Sequence, residues 1–315
     1  MTNNRNLTLD YARGVAITMI LIYHFYGYLE RAEDSVVYWA FHTMQLPVFV
    51  YISGMLAHSS IDRYGFVELL RNRAIRLLFP FFSFMLIWAV IKPDKFLPTL
   101  YDEFKGGYWF IFVLFEMMAL LALGKRLATK YRQHSYVVNG ALFGLLTLFV
   151  VLLPRDNMLS HYLSINLLWH YYPFFLMGYY SYRVQPLLAL RWAPVYLVAW
   201  LLVQYLFFTT GRNVLTPLCN LFSLLLLMSL FFGGIRPFER IFSYVGVYSL
   251  QIYLVHFFLL RLLVPYLPIV GNRWLEFAFL LVLTSSIMAA AIAVSRLLMR
   301  NSLLGMLLFG IRRQK

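Results

Sequence analysis

In an apolar stretch near the start of the chain, Arg13 and His24 stand eleven residues apart. On a helix that is three turns, so the two side chains share a face with about 16 Å between them along the axis. A neutral imidazole near pH 7 can take the proton of an alcohol, and a guanidinium can hold developing negative charge. Asp10 and Gly14 lie beside Arg13 on the first turn, and Gly14 lets another helix or a ligand come close. A second segment repeats the device, with His42 and Ser53 eleven residues apart on one face with Phe49. Pro47 between them frees a backbone carbonyl near residue 43, which offers a polar ligand an acceptor. His24 and His42 each lie a turn or two from the short loop joining their segments, hence at similar depth. Snorkelling accounts for Arg13 or His24 taken singly, and a kink accounts for Pro47. Neither accounts for two level histidines.

Other polar groups recur at helical intervals. Glu116 follows Trp109 by two turns on the same face, and a carboxylate in an apolar segment needs a histidine or a cation as partner. His170 stands with Tyr171, Tyr172 and Pro173 midway along its segment. Ser249, Tyr253 and His256 form an i, i+4, i+7 stripe, where helix–helix hydrogen bonding is the ordinary role of the first two. Arg73 and Arg76, at i and i+3, form a fork suited to phosphate, whereas Arg71 suits anchoring at an interface.

The elements that position these residues follow from composition. Of 315 residues, 62% are hydrophobic and only 13% charged, against about 25% charged in a soluble domain. A water-soluble domain, a disordered chain and a disulfide scaffold are excluded together. A spanning helix takes about 20 apolar residues, so the chain has room for roughly ten. The expected fold is an all-α integral membrane protein, a bundle of about ten transmembrane helices near 8–28, 36–58, 74–92, 107–123, 135–153, 162–180, 192–209, 214–233, 241–264 and 274–298. No Pro/Gly-rich linker, short repeat or low-complexity tract interrupts it, so residues 1–315 read as one membrane domain. Cys219 stands alone and cannot form an internal disulfide, and no metal site is expected.

The net charge of +14 is a topology signal. With both termini cytoplasmic, 18 of the 27 basic residues fall on the inner side and seven on the outer, leaving the inner face near +15 and the outer near neutral. Anionic lipids explain the rest, and nucleic acid is not expected as a partner. The first segment resembles a secretory signal only superficially. It carries Asp10 and Arg13, exceeds 20 residues, and lacks a small-residue cleavage site before Glu30–Asp34, so it is expected to stay in the mature protein. Leu303–Gly310 is apolar but too short to span, and is expected along the inner surface.

Five motifs in order carry a family resemblance over residues 9–256. Leu9–Asp10–Tyr11–Ala12–Arg13–Gly14 followed by His24 resembles the opening of the membrane acyltransferase-three family. Phe41–His42, Leu46–Pro47–Val48–Phe49 and Ser53–Gly54 resemble its second-helix pattern, with a local departure at Thr43–Met44–Gln45–Leu46. Arg73–Ala74–Ile75–Arg76–Leu77–Leu78–Phe79–Pro80 resembles the third-helix arginine motif, and Tyr108–Trp109–Phe110–Ile111 the Trp-Phe-Leu motif. Tyr248–Ser249–Leu250–Gln251–Ile252–Tyr253–Leu254–Val255–His256 resembles the late Tyr-Ser-Leu-x-Ile-Tyr-Leu-x-His motif. The pattern is most similar to the bacterial exopolysaccharide and sugar O-acetylase branch.

The resemblance implies an O-acetyltransferase of the bacterial cytoplasmic (inner) membrane. It would move acetyl or a similar short acyl group from acyl-CoA to a hydroxyl of a carbohydrate or lipid-linked sugar, with no permanently bound cofactor. It implies His24 as catalytic base, with Arg13 supporting donor or site geometry. Arg73 and Arg76 would hold the CoA phosphates, and Trp109 and the Ser53–Gly54 turn would line the acyl or nucleotide path. His42, Tyr253 and His256 fall among the expected substrate-binding groups, and depth places Glu116 as a group that could orient His24. Membrane lipids and a polysaccharide-synthesis machinery are the expected surroundings. Two other classes stay open at this point: a proton-coupled exporter of a sugar or polysaccharide, using His24, His42, Glu116 and His256, and a non-catalytic assembly subunit.

Overall fold

Asn6 opens the first helix, its side chain accepting the Leu9 N–H at 3.3 Å as helix starts require. The computed structural model describes residues 6–27, 35–91, 96–153, 157–211, 213–263 and 273–311, and every regular element among them is helical. In chain order these are α1 (Leu7–Tyr26), α2 (Val36–Arg63), α3 (Phe66–Arg73), α4 (Phe79–Ile91), α5 (Phe96–Tyr101), α6 (Trp109–Lys130), α7 (Ser135–Leu152) and α8 (Met158–Tyr162). They continue with α9 (Ile165–Tyr179), α10 (Ser181–Val184), α11 (Ala193–Thr210), α12 (Thr216–Phe232), α13 (Glu239–Val247), α14 (Ser249–Leu263), α15 (Arg273–Leu298) and α16 (Ser302–Phe309).

All ten expected segments fall on helices. Among the described residues six stretches are long and apolar enough to cross a membrane, and the bent pair α13–α14 makes a seventh if it is one span. The protein is a multi-pass membrane protein. Of the basic residues that set the expected topology, Arg5, Arg31, Lys92, Lys95, Arg155, Arg212, Arg312, Arg313 and Lys315 lie outside the described residues, as does the acidic loop Glu30–Asp34.

The second and fourth segments run further than expected, to Arg63 and Lys130, and two others differ in shape. The third begins at Phe66 rather than near residue 74, and α3 passes into α4 through a π-helical turn, Ala74–Leu78. Pro80 lacks the N–H that would bond the Arg76 carbonyl, and the Phe79 N–H reaches back to the Ala74 carbonyl instead. The ninth segment breaks at Tyr248, where α13 and α14 meet at 77°.

The chain divides into two compact units, one of Met1–Ile52 with Ser181–Arg296, the other of Ser53–Tyr180 with Leu297–Lys315. In the first, α1 packs on α13, and Tyr11 stands edge-on to Phe231 (5.0 Å) and Phe242 (5.8 Å). Buried polar groups tie α2 to α11 and α12: Thr43 Oγ1 donates to Gln204 Oε1 at 3.3 Å, and Ser223 Oγ donates to the Thr43 carbonyl at 2.8 Å. In the second unit Asn139 joins α6, α7 and α9. Its Nδ2 donates to the Ser135 carbonyl (2.8 Å) and Tyr180 Oη (3.0 Å), its Oδ1 accepts from Tyr172 (3.3 Å), and Gly124 leaves room for it. The short α16 packs on α4, burying Phe309 while Leu303 stays exposed. Behind it Gly310, at φ 63°, lies so close to the Arg76 backbone that a Cβ would sit 2.6 Å from Arg76 Cα.

Candidate active site

In the first unit α1 and α14 bring His24 and His256 together, with ring centroids 5.5 Å apart. Phe257 packs on both rings, 4.7 Å from His24 and 4.3 Å from His256. His256 is fully buried, and its Nδ1 lies 2.6 Å from the Tyr253 carbonyl and 3.2 Å from that of Ile252. Both neighbours are acceptors, so Nδ1 must carry the proton. Nε2 keeps its lone pair and meets no hydrogen-bond partner among the described residues. Tyr253 thus contributes through its carbonyl, with its ring 5.8 Å from the imidazole.

His42 joins the cluster through Tyr23. That ring lies 5.2 Å from His24 and 5.3 Å from His42, and it stacks on Tyr38 at 4.7 Å. The Tyr38 hydroxyl donates to Tyr23 Oη at 3.0 Å, and Trp39 stands edge-on to His42 at 5.3 Å. His24 and His42 thus belong to one aromatic cluster, each ring beside Tyr23. Imidazoles among aromatic rings can hold and release protons where water is scarce, and flat rings can pack against a sugar or an acyl chain.

Two expectations are corrected here. The Thr43 carbonyl, freed by Pro47 and expected to meet a ligand, already accepts from Ser223. Ser53 and Gly54 do not form a turn; they lie inside the continuous helix α2. Gly54 is required there by helix packing, since a Cβ would fall 2.1 Å from the Phe175 carbonyl of α9. Arg13 forms an ion pair with the buried Asp10 one turn earlier, which fixes its side chain on the first turns of α1.

The second unit holds the remaining expected residues. Arg73 ends α3 and donates to Ser60 Oγ of α2, and Arg76 stands in the π turn. A π turn carries more residues per turn than an α-helix, so the two arginines fan apart more than i, i+3 on a regular helix. Trp109 opens α6 and stacks on Tyr171 at 5.5 Å, with the His170 ring 4.7 Å from Tyr171. Glu116 Oε2 is buried and has no hydrogen-bond partner among the described residues.

Lys105, one of the seven basic residues of the expected outer side, carries no expected role in the site. It is buried, only 2% exposed, and its Nζ donates to the carbonyls of Asp102 (2.8 Å) and His161 (2.7 Å). Burial pushes its ammonium below the usual lysine range, opposed by the charges of Asp102, Glu116 and Glu103. The visible signal was Gly106–Gly107, which follows Lys105 through a run of positive φ (48°, 58° and 98°) and lets the turn fold the lysine inward. Among the described residues no group of three or more His, Cys, Asp or Glu side chains could hold a metal ion.

Two nodulation proteins named NolL are similar to this chain. That of Mesorhizobium japonicum is 33% identical over 195 residues, covering 56% of this chain and 48% of its own length. That of Sinorhizobium fredii is 25% identical over 195 residues, covering 56% and 49%. The chain thus spans about half the length of the curated relatives it matches. No solved structure matches it significantly. The family model described as an acyltransferase domain matches residues 6–296, nearly the whole chain, and with the five motifs in order this places the protein in the acyltransferase-three family.

Proposed function

We propose that the protein is a membrane O-acyltransferase that moves acetyl or a similar short acyl group from cytoplasmic acyl-CoA to a hydroxyl of a cell-surface or exported carbohydrate. The observation that carries this reading is the pairing of His24 with a His256 whose proton is fixed on Nδ1. His24 acts as the base. It takes the acceptor hydroxyl proton as the oxygen attacks the thioester carbonyl, and the proton passes to the CoA thiolate as the carbon–sulfur bond breaks. His42 and Tyr253 belong to the acceptor surroundings. Arg73 and Arg76 hold the donor phosphates on the basic, cytoplasmic side, and Trp109 and Ser53 line the donor's path. No permanently bound cofactor takes part, and the setting is the bacterial inner membrane beside a polysaccharide-synthesis machinery.

Sidedness tests the reading in oriented membrane vesicles. Labelled acetyl-CoA supplied to the cytoplasmic face should acetylate carbohydrate on the opposite face, free CoA should stay on the donor side, and donor supplied externally should give no product. Equal activity from both faces sinks the cross-membrane mechanism. Sugar efflux with no acyl-CoA requirement favours a proton-coupled exporter.

A further inference from the structure

At the α2–α3 junction of the second unit lies a groove of about 700 Å³, between Tyr64, Gly65 and Phe66 on one side and Lys125, Arg126 and Lys130 of α6 on the other. Lys125 is engaged with Asp62. Arg126 and Lys130 meet no carboxylate among the described residues, and Glu68 is the one acid on the lining. The Arg126 guanidinium lies over the Phe66 ring at 5.2 Å, a flat cation on an aromatic base. A Cβ on Gly65 would meet nothing within 4 Å, so the groove is open above it. Leu69 lines the same groove, and Arg73 lies one turn further along α3, about 6 Å away along the axis.

We propose that this groove binds the adenosine 3′-phosphate end of the acyl-CoA donor. The inference rests on the acyl-CoA reading above and assigns residues that neither the motifs nor the family match identifies. The purine stacks on the outer face of the Arg126 guanidinium, a use to which planar arginine is suited. Lys130 meets the 3′-phosphate, and the pyrophosphate continues along α3 toward Arg73. The volume lies in the range of small-molecule sites, about 300–1,000 Å³. An anionic lipid headgroup shares the phosphate chemistry but has no planar group for the Arg126–Phe66 stack.

The test measures CoA and dephospho-CoA binding to the full-length protein in uncharged detergent micelles. The wild type should favour CoA about ten-fold, the effect of one charge-assisted phosphate contact. Lys130→Ala should abolish that preference, and Arg126→Ala should weaken both ligands about ten-fold. Gly65→Trp fills the groove without changing charge, at a φ of −63° that any residue adopts, and should exclude both ligands. Unchanged melting temperatures separate these effects from misfolding. Equal wild-type affinity for the two ligands, lost only in Arg73→Ala, overturns the groove assignment and leaves the donor reading standing. Failure of the wild type to bind either ligand overturns both. In nanodiscs, loss of the CoA preference when phosphatidylglycerol replaces phosphatidylcholine makes the groove a lipid site and overturns the proposal.

Discussion

Gly14 of α1 and Gly246 of α13 face each other backbone to backbone. A Cβ on Gly14 would lie 1.8 Å from the Phe242 carbonyl oxygen, and one on Gly246 would lie 1.8 Å from that of Asp10. Each would also approach the other glycine's nitrogen, at 3.1 Å and 3.0 Å. The contact holds α1, which carries His24, against α13. Beyond the bend at Tyr248 that segment continues as α14, which carries His256. Two missing methyl groups at one end of the unit therefore govern how closely the two imidazoles meet at the other.

Alanine at Gly246 should destabilise the protein by at least the roughly 1–3 kcal/mol typical of overpacking, because the opposing atoms are backbone and cannot rotate away. Transfer activity should fall with it, through displacement of His256 from His24. An unchanged melting temperature in purified Gly246→Ala would show that the two helices separate without cost.

His24→Ala should reduce acyl transfer by about 10²–10⁴, the usual yield of general-base catalysis, with membrane insertion intact. Initial rates with labelled acetyl-CoA, normalised to protein in the membrane, measure this directly. Near-normal turnover would remove His24 from the chemistry.

Arg73→Ala and Arg76→Ala should weaken CoA binding roughly ten- to a hundred-fold each, at about 1.5–3 kcal/mol per charge-assisted bond. Lysine should rescue only in part, because it lacks the planar fork. Unaltered CoA affinity in both variants would make these residues topology anchors alone.

Lys105→Met should destabilise the second unit, since two backbone carbonyls lose a charged donor worth about 1.5–3 kcal/mol each. The pH dependence has a definite sign. Burial lowers the folded-state pKa of Lys105, so the unfolded chain binds more protons in the window just below the ordinary lysine value, about 10.4. Wild-type stability relative to Lys105→Met should therefore rise as pH climbs through that window, with a slope softened by Asp102, Glu116 and Glu103. A falling difference in melting temperature would mean that those acids outweigh burial.

Much of this protein is legible in one dimension. Apolar runs of about 20 residues specify helices because each backbone bond closes within the segment, so each expected segment falls on helix. Six of them, or seven with the bent α13–α14 pair, are long and apolar enough to cross a membrane among the described residues. The Arg13–His24 spacing follows from helical rise alone. Tertiary structure decided the rest. The fate of the carbonyl that Pro47 frees depends on Ser223, 180 residues away. Lys105 reads as a loop cation until Asp102 and His161 supply carbonyls on two sides. Gly14 and Gly246 look like ordinary small residues until α1 meets α13. His256 becomes the partner of His24 only because the chain bends at Tyr248. Helix formation is settled by hydrogen bonds between neighbours in sequence, whereas the placing of buried polar groups depends on distant residues that meet only when the helices pack.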